Sequence, residues 1–177
     1  NVSSITVDLT SLYNEFTSKN HVNNNNLLAL ANTRARLRMT TLYYFAQSNN
    51  SLVVGTGNKV EDFGVGFFTK YGDGGVDISP IADLLKTEVY IIAKELNIAQ
   101  DIIDAPPTDG LWENNKTDED QIGATYQELE WAMSFKGDFN QLAKREKEVL
   151  SIYRKLNRAN QHKIKEIPVC FIPLNFK

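Results

Sequence analysis

Ser51-Leu52-Val53-Val54-Gly55 is a compact apolar run that passes directly into Thr56-Gly57-Asn58-Lys59-Val60-Glu61. This strand, glycine turn and helix start constrain the chain most, because a strand needs a paired neighbour and a helix to cover it. Residues 4–9 alternate like a second strand, followed by a short helical stretch at 11–18. A long helix is predicted over 27–47, with Leu30, Leu37, Leu42 and Phe45 among its apolar positions, and the asparagines before it supply an N-cap. Residues 86–96 place Val89, Ile92, Ala93 and Leu96 on one helical face. Further helices are predicted at 126–133 and 138–158, before an irregular tail containing Pro168 and Pro173. Residues 67–77 are too glycine-rich for a regular element, and Pro106-Pro107 leads into a polar, acidic loop over 108–121. Strands separated by helices predict an α/β domain with a parallel sheet flanked by helices. The 177 residues suffice for one such domain.

Composition narrows the function classes. No apolar run exceeds five residues, against the ~20 that a membrane span requires. A net charge of −3 argues against general nucleic-acid binding, which needs a clustered basic surface. The single cysteine, Cys170, excludes an internal disulfide and a Cys-rich zinc site, and is compatible with a reducing cytoplasm. The opening Asn1-Val2-Ser3-Ser4 has neither a basic start nor an apolar stretch, so no signal peptide is expected there. Residues 101–130 carry nine acidic side chains against Lys116 alone, whereas 144–166 carry eight Lys and Arg against three Glu. Solvated faces explain such runs; the functional alternative is a basic tail that meets anionic groups of a ligand.

Several short motifs are weighed on their residues. The turn at 55–61 lies where ligands bind in an open parallel sheet, with backbone N–H groups and the Thr56 hydroxyl available to a nucleotide. It is not the dinucleotide fingerprint, because Val60 occupies the third glycine position; an ordinary turn is the alternative. Asp62-Phe63-Gly64 lacks the catalytic loop and lysine strand of a kinase. Asp73-Gly74-Gly75-Val76-Asp77 fails as a calcium loop, since Leu84 stands where the bidentate Glu belongs. Arg34 and Arg38 share a helical face and Arg36 points away from them. Solubility explains them, although the Arg fork also suits carboxylate or phosphate. His21 and His162 lie in no metal-spacing motif and read as surface residues. The apolar neighbours of Cys170 predict a small buried side chain rather than a nucleophile.

The segment from Gly55 to Glu61, followed by Gly66-Phe67-Phe68-Thr69-Lys70-Tyr71-Gly72-Asp73-Gly74-Gly75-Val76-Asp77, resembles the bacterial ammonia-dependent NAD synthetases. So do Asn32-Thr33-Arg34-Ala35-Arg36-Leu37-Arg38-Met39, Pro106-Pro107-Thr108, Asp118-Glu119 with Ile122-Gly123 and Tyr126, and His162-Lys163. The likeness runs in consistent order over roughly residues 30–165. It implies a Rossmann-like, adenine nucleotide alpha-hydrolase-like fold and membership of the ATP pyrophosphatases. That class holds ATP phosphates with a Ser-Gly-Gly-x-Asp-Ser loop, which does not occur here. The expectation is therefore a single NAD synthetase domain over 1–177 that is incomplete at its amino terminus, with the first strands and phosphate loop missing. A smaller departure is Gly57-Asn58, where many relatives carry Asp-His.

The resemblance implies a cytoplasmic homodimer that amidates deamido-NAD (nicotinate adenine dinucleotide) with ammonia, using ATP and Mg²⁺ and passing through an acyl-adenylate. Matching positions assign Glu61 to the metal; Thr56, Lys86 and Thr108 to ATP; and Arg36, Lys70, Asp77, His162 and Lys163 to deamido-NAD. Free ammonia is the expected nitrogen donor, since the chain has no room for an amidase domain. The helix at 27–47 is the expected dimer element, or else an element of the internal core. The rival readings are a non-catalytic nucleotide-binding or dimerising fragment without the phosphate loop, and a different pyrophosphatase such as GMP synthetase, against which the 67–77 run argues.

Overall fold

The computed structural model describes residues 3–20, 25–111 and 116–176. The segment expected as a first strand, 4–9, is irregular, because no neighbouring strand among the described residues satisfies its N–H and C=O groups. The Asp8 carboxylate then accepts the Thr10 N–H (2.8 Å) and turns the chain into α1 (Thr10–Lys19). The Asn26 side chain caps α2 (Leu27–Ser48) by accepting from the Ala29 N–H, as the asparagine run predicts. His21 and the first two asparagines of that run lie outside the described residues. Leu30, Ala31, Ala35 and Ala46 form the buried face of α2.

The described residues form no strand of the expected parallel sheet, only one isolated parallel bridge. Val54 bridges Ile78, with the Asp77 N–H donating to the Val53 carbonyl (2.9 Å) and the Gly55 N–H to that of Ile78 (2.7 Å). Val53 is 7% exposed while Val54 is 53% exposed, the alternation of a strand with one covered face. Pairing stops at Thr56, which enters the glycine turn, and at Pro80, which has no N–H to donate. No longer ladder exists among the described residues.

After the turn, Val60–Val65 forms a π-helical segment. The downstream helices are α3 (Lys86–Glu95), α4 (Gln100–Ile103), α5 (Asp118–Ile122), α6 (Tyr126–Ser134), α7 (Lys144–Ala159) and α8 (Gln161–Ile164). Helix α5 occupies part of the expected 108–121 loop. Its reason is reciprocal capping: the Thr117 hydroxyl accepts the Asp120 N–H and the Asp120 carboxylate accepts the Thr117 N–H. Thr125 and Glu128 cap α6 in the same way. The helix expected at 138–158 starts only at Lys144. Asp138 folds a short 3₁₀ turn at Phe139–Gln141, and the Glu146 carboxylate on the Ala143 N–H (2.7 Å) restarts the helix.

The core lies where the π-helical segment meets α6 and α7. Val60, Val65, Leu129, Val149 and Leu150 are its most buried members, closed by Ile122 and Ala124 at the end of α5. The tail after α8 is irregular except for a 3₁₀ turn at Leu174–Phe176. Cys170 is exposed there, contrary to the expectation of burial, as are Val169, Phe171 and Leu174. The tail's apolar side chains do not join the core cluster, so local hydrophobicity misleads at Cys170. No described helix is long and apolar enough to cross a membrane.

Candidate functional site

Asn58 follows the glycine turn and is almost fully buried. Its side-chain oxygen accepts the N–H groups of Val60 (3.0 Å) and Glu61 (3.1 Å), which begins the π-helical segment. Glu61 is thereby set in the first turn of the segment. Its Oε1 accepts from Lys86 Nζ at 3.3 Å and from the Tyr126 hydroxyl. The same hydroxyl lies 3.0 Å from Asp118 Oδ2, and the Lys86 ammonium sits 4.8 Å from the centre of the Tyr126 ring. Four elements thus converge: the π-helical segment brings Glu61, α3 brings Lys86, and the first residues of α5 and α6 bring Asp118 and Tyr126.

This cluster borders a cleft of about 710 Å³ whose walls include Thr56, Glu61, Lys70, Asp73, Asp118 and Lys163. Burial and two carboxylate neighbours raise the Tyr126 hydroxyl far above the usual phenol range, so it keeps its proton. Burial is also the largest cause raising the Asp118 carboxyl, partly offset by its contact with Tyr126. Asp62, on the same wall, is pushed up to about 6 by burial, then by Glu61 and Asp73. A Cβ at Gly57 would stand 2.3 Å from the Asp62 carboxylate, so a larger residue there would have to displace that side chain.

Opposite the carboxylates, α7 and α8 hold the backbone of 64–70. Asn157 donates to the Gly64 carbonyl (2.7 Å), Asn160 to Val65 (2.8 Å), and Lys163 to Gly66 (2.9 Å) and Phe68 (2.7 Å). Burial lowers the Lys163 ammonium. The Lys70 ammonium returns the contact by donating to the His162 carbonyl, and Arg36 donates to the Lys70 carbonyl (3.2 Å). His162 is exposed, its Nδ1–H directed to the Ala159 carbonyl (3.2 Å).

The cleft therefore brings together Thr56, Glu61, Lys70 and Lys163. Lys86 joins them through Glu61, and Arg36 and His162 through Lys70. Asp77 is placed elsewhere: its carboxylate accepts the Val53 N–H (2.8 Å) and the Tyr43 hydroxyl (3.1 Å), fastening the parallel pair to α2. Thr108 is exposed and outside the cleft lining, although the adjacent Pro107 carbonyl accepts the Asp118 N–H (3.0 Å). Arg34 and Arg38 bond the carbonyls of Leu111, Asp109 and Gly110, on a face distinct from that of Arg36, as their spacing predicts. Of the basic stretch, Lys163 and Lys165 reach the cleft, whereas Arg154, Lys155 and Arg158 line a separate surface.

Residue-by-residue reading gave no role to Asp118, Tyr126, Asn157 or Asn160. Two signals were present. Asp118 and Tyr126 each follow a capping threonine directly, and 157, 160 and 163 recur on one helical face.

A family model described as NAD synthase matches residues 1–168. The NH(3)-dependent NAD(+) synthetase of Carboxydothermus hydrogenoformans is 44% identical over 145 residues, 80% of this chain and 56% of that protein. The corresponding protein of Alkaliphilus oremlandii is 42% identical over 168 residues, 90% and 64% of the two chains. The chain spans about half the length of several curated relatives it matches. Among solved structures, the NMN synthetase of Francisella tularensis superposes with a TM-score of 0.80 at 34% identity, over 96% of this chain and 66% of that one. The NH3-dependent NAD synthetase of Campylobacter jejuni gives 0.69 at 26% identity, over 93% and 64%.

Proposed function

The chain belongs to the NAD synthase family, and from that premise we propose that it amidates deamido-NAD with ammonia at the expense of ATP. The observation that carries the reading is Glu61, fixed by Asn58, Lys86 and Tyr126 on the wall of the cleft. A carboxylate is a poor electrophile, so the nicotinate group first attacks the α-phosphate of ATP. An acyl-adenylate forms and pyrophosphate leaves. Ammonia then attacks the activated carbonyl and AMP departs with the C–O bonding electrons. Two anions meet in the first step, so positioning and charge stabilisation dominate catalysis.

Glu61 would hold Mg²⁺, whose chemistry is to neutralise phosphate oxygens. The donor set fits: Glu61 is a hard oxygen ligand beside the cleft. Among the described residues no group of three or more His, Cys, Asp and Glu side chains converges on a metal position. Mg²⁺ often takes one or two carboxylates and completes its shell with phosphate and water. Thr56, Lys86 and Thr108 are proposed to contact ATP, and Arg36, Lys70, Asp77, His162 and Lys163 the dinucleotide. An ammonium group has three N–H donors; Lys70 uses one and Lys163 two on backbone carbonyls, which leaves donors for an anionic ligand.

In the same reading, the Val54–Ile78 pair belongs to an adenine nucleotide alpha-hydrolase-like parallel sheet, in a cytoplasmic enzyme. Exposed Leu27, Leu28, Leu42 and Tyr44 on α2 support a homodimer through that helix. The likeness to an NMN synthetase favours a second acceptor, nicotinate mononucleotide, for the same amidation. Calorimetry with each deamido nucleotide, followed by ATP and Mg²⁺, tests both. Binding with pyrophosphate release is expected for the true acceptor. Binding without pyrophosphate release from either nucleotide, both having been tried, identifies a nucleotide-binding fragment instead.

A further inference from the structure

Helix α2 runs along the glycine-rich segment that carries Lys70. Asn32, Ala35, Arg36, Met39 and Tyr43 are spaced by three or four residues and share one helical face. Each meets its own point on the segment. The Thr69 hydroxyl donates to the Asn32 side-chain oxygen (2.7 Å), Arg36 donates to the Lys70 carbonyl (3.2 Å), and the Tyr43 hydroxyl donates to Asp77 (3.1 Å). Between these bonds, a Cβ at Gly72 would stand 3.0 Å from that of Ala35, and one at Gly75 3.1 Å from Met39 Cγ. The loop is thus laid closely against the helix. Tyr71, directly after Lys70, has a φ of +61°, a left-handed conformation that a residue with a Cβ keeps only where its surroundings impose it. Its flanks carry the imposing contacts: Thr69 is 5% exposed and held to Asn32, and Gly72 packs on Ala35.

We propose that Asn32 is a positioning residue for dinucleotide binding, acting through Thr69 to set the backbone from which Lys70 extends. The inference rests on the reading that assigns Lys70 to the dinucleotide. Asn32 does not line the cleft, so it acts on the ligand through the loop and not by touching it. Without Asn32 the buried Thr69 hydroxyl loses its acceptor, and the turn at Tyr71 is free to relax. The fraction of molecules with Lys70 in place then falls, and the apparent dissociation constant rises by the inverse of that fraction.

Calorimetric titration of the protein with deamido-NAD tests this without turnover. Asn32→Ala preserves α2, since alanine is the best helix former, and is expected to raise Kd about five- to tenfold. Thr69→Val removes the same hydrogen bond from the other side and should match it. Thr69→Ser keeps the hydroxyl and should stay within about twofold of the parent. A double-mutant cycle separates positioning from mere stabilisation. In the Lys70→Ala background, N32A should change Kd by less than about twofold, because the side chain it sets is gone. Should N32A fail to fold, Thr69→Val is measured in both backgrounds with the same expectations. An unchanged Kd in N32A, a Thr69→Ser as weak as Thr69→Val, or an equal penalty with and without Lys70 would each overturn the proposal. Asn32-dependent binding of deamido-NAD by a protein that forms no amide contradicts the amidation reading alone. Amide formation with an N32A Kd equal to the parent's contradicts the positioning role alone, and a parent that does not bind deamido-NAD overturns both.

Discussion

The Asn160 side chain donates to the Val65 carbonyl at 2.8 Å, joining residues 95 apart in sequence. The contact closes where the π-helical segment ends and Gly66 takes up a φ of +63°. A Cβ at Gly66 would stand 2.5 Å from that of Asn160, so the glycine serves both the left-handed backbone and the close approach.

Asn160→Ala leaves the Val65 carbonyl without its donor and is expected to cost about 1–3 kcal/mol of stability. Hydrogen exchange should then accelerate over residues 64–70 more than in α6. Asn160→Asp keeps the shape but replaces the donor by a carboxylate, and should be no better than alanine. Recovery by aspartate would show that shape, not donation, matters.

Glu61→Gln retains an acceptor and removes the charge that pairs with Lys86 at 3.3 Å. Turnover is expected to fall on the order of 100-fold, and the Mg²⁺ concentration for half-maximal rate to rise. Folding, followed by circular dichroism, should persist. An unaltered Mg²⁺ dependence would remove Glu61 from the metal.

Arg145 holds Glu128 at 2.8 Å, and this contact is the first cause that brings the Glu128 carboxyl down to about 2 from 4.5. A depressed acid stabilises the folded chain above its unfolded pKa and loses that contribution as pH falls through its folded one. The loss is therefore expected between about pH 4.5 and pH 2. Both side chains are partly exposed, which limits it to about 0.5–1 kcal/mol. Denaturant titrations of Arg145→Ala across that range should show a correspondingly flatter acid limb.

Leu129 is completely buried between the π-helical segment and α7. Leu129→Ala is expected to cost about 2–5 kcal/mol, measured by urea denaturation with an unchanged slope. A cost below that range would mean that the three elements collapse into the space.

The helices were largely legible because their signals are local: Asn26 before α2, Thr125 with Glu128 at α6, and the apolar spacing of α3. The capping pair Thr117–Asp120 was equally local but hidden in an acidic run that reads as loop. Strands were harder, since a strand is defined by its neighbour. Residues 4–9 alternate correctly and still pair with nothing described. Glu61, Lys70 and Lys163 were reachable through motif likeness. The Tyr126–Glu61 contact and the Asn157–Asn160 ladder join distant segments, so no window along the chain contains them. Cys170 shows the converse error, an apolar neighbourhood in sequence that is exposed in space.

Incubating the protein with ATP, Mg²⁺, deamido-NAD and ¹⁵N-labelled ammonium, then counting products by mass spectrometry, addresses the proposed reaction most directly. The account predicts one AMP for each ¹⁵N-carboxamide, and none when the deamido nucleotide is withheld. Absence of both products, or AMP formed without the acceptor, would contradict it.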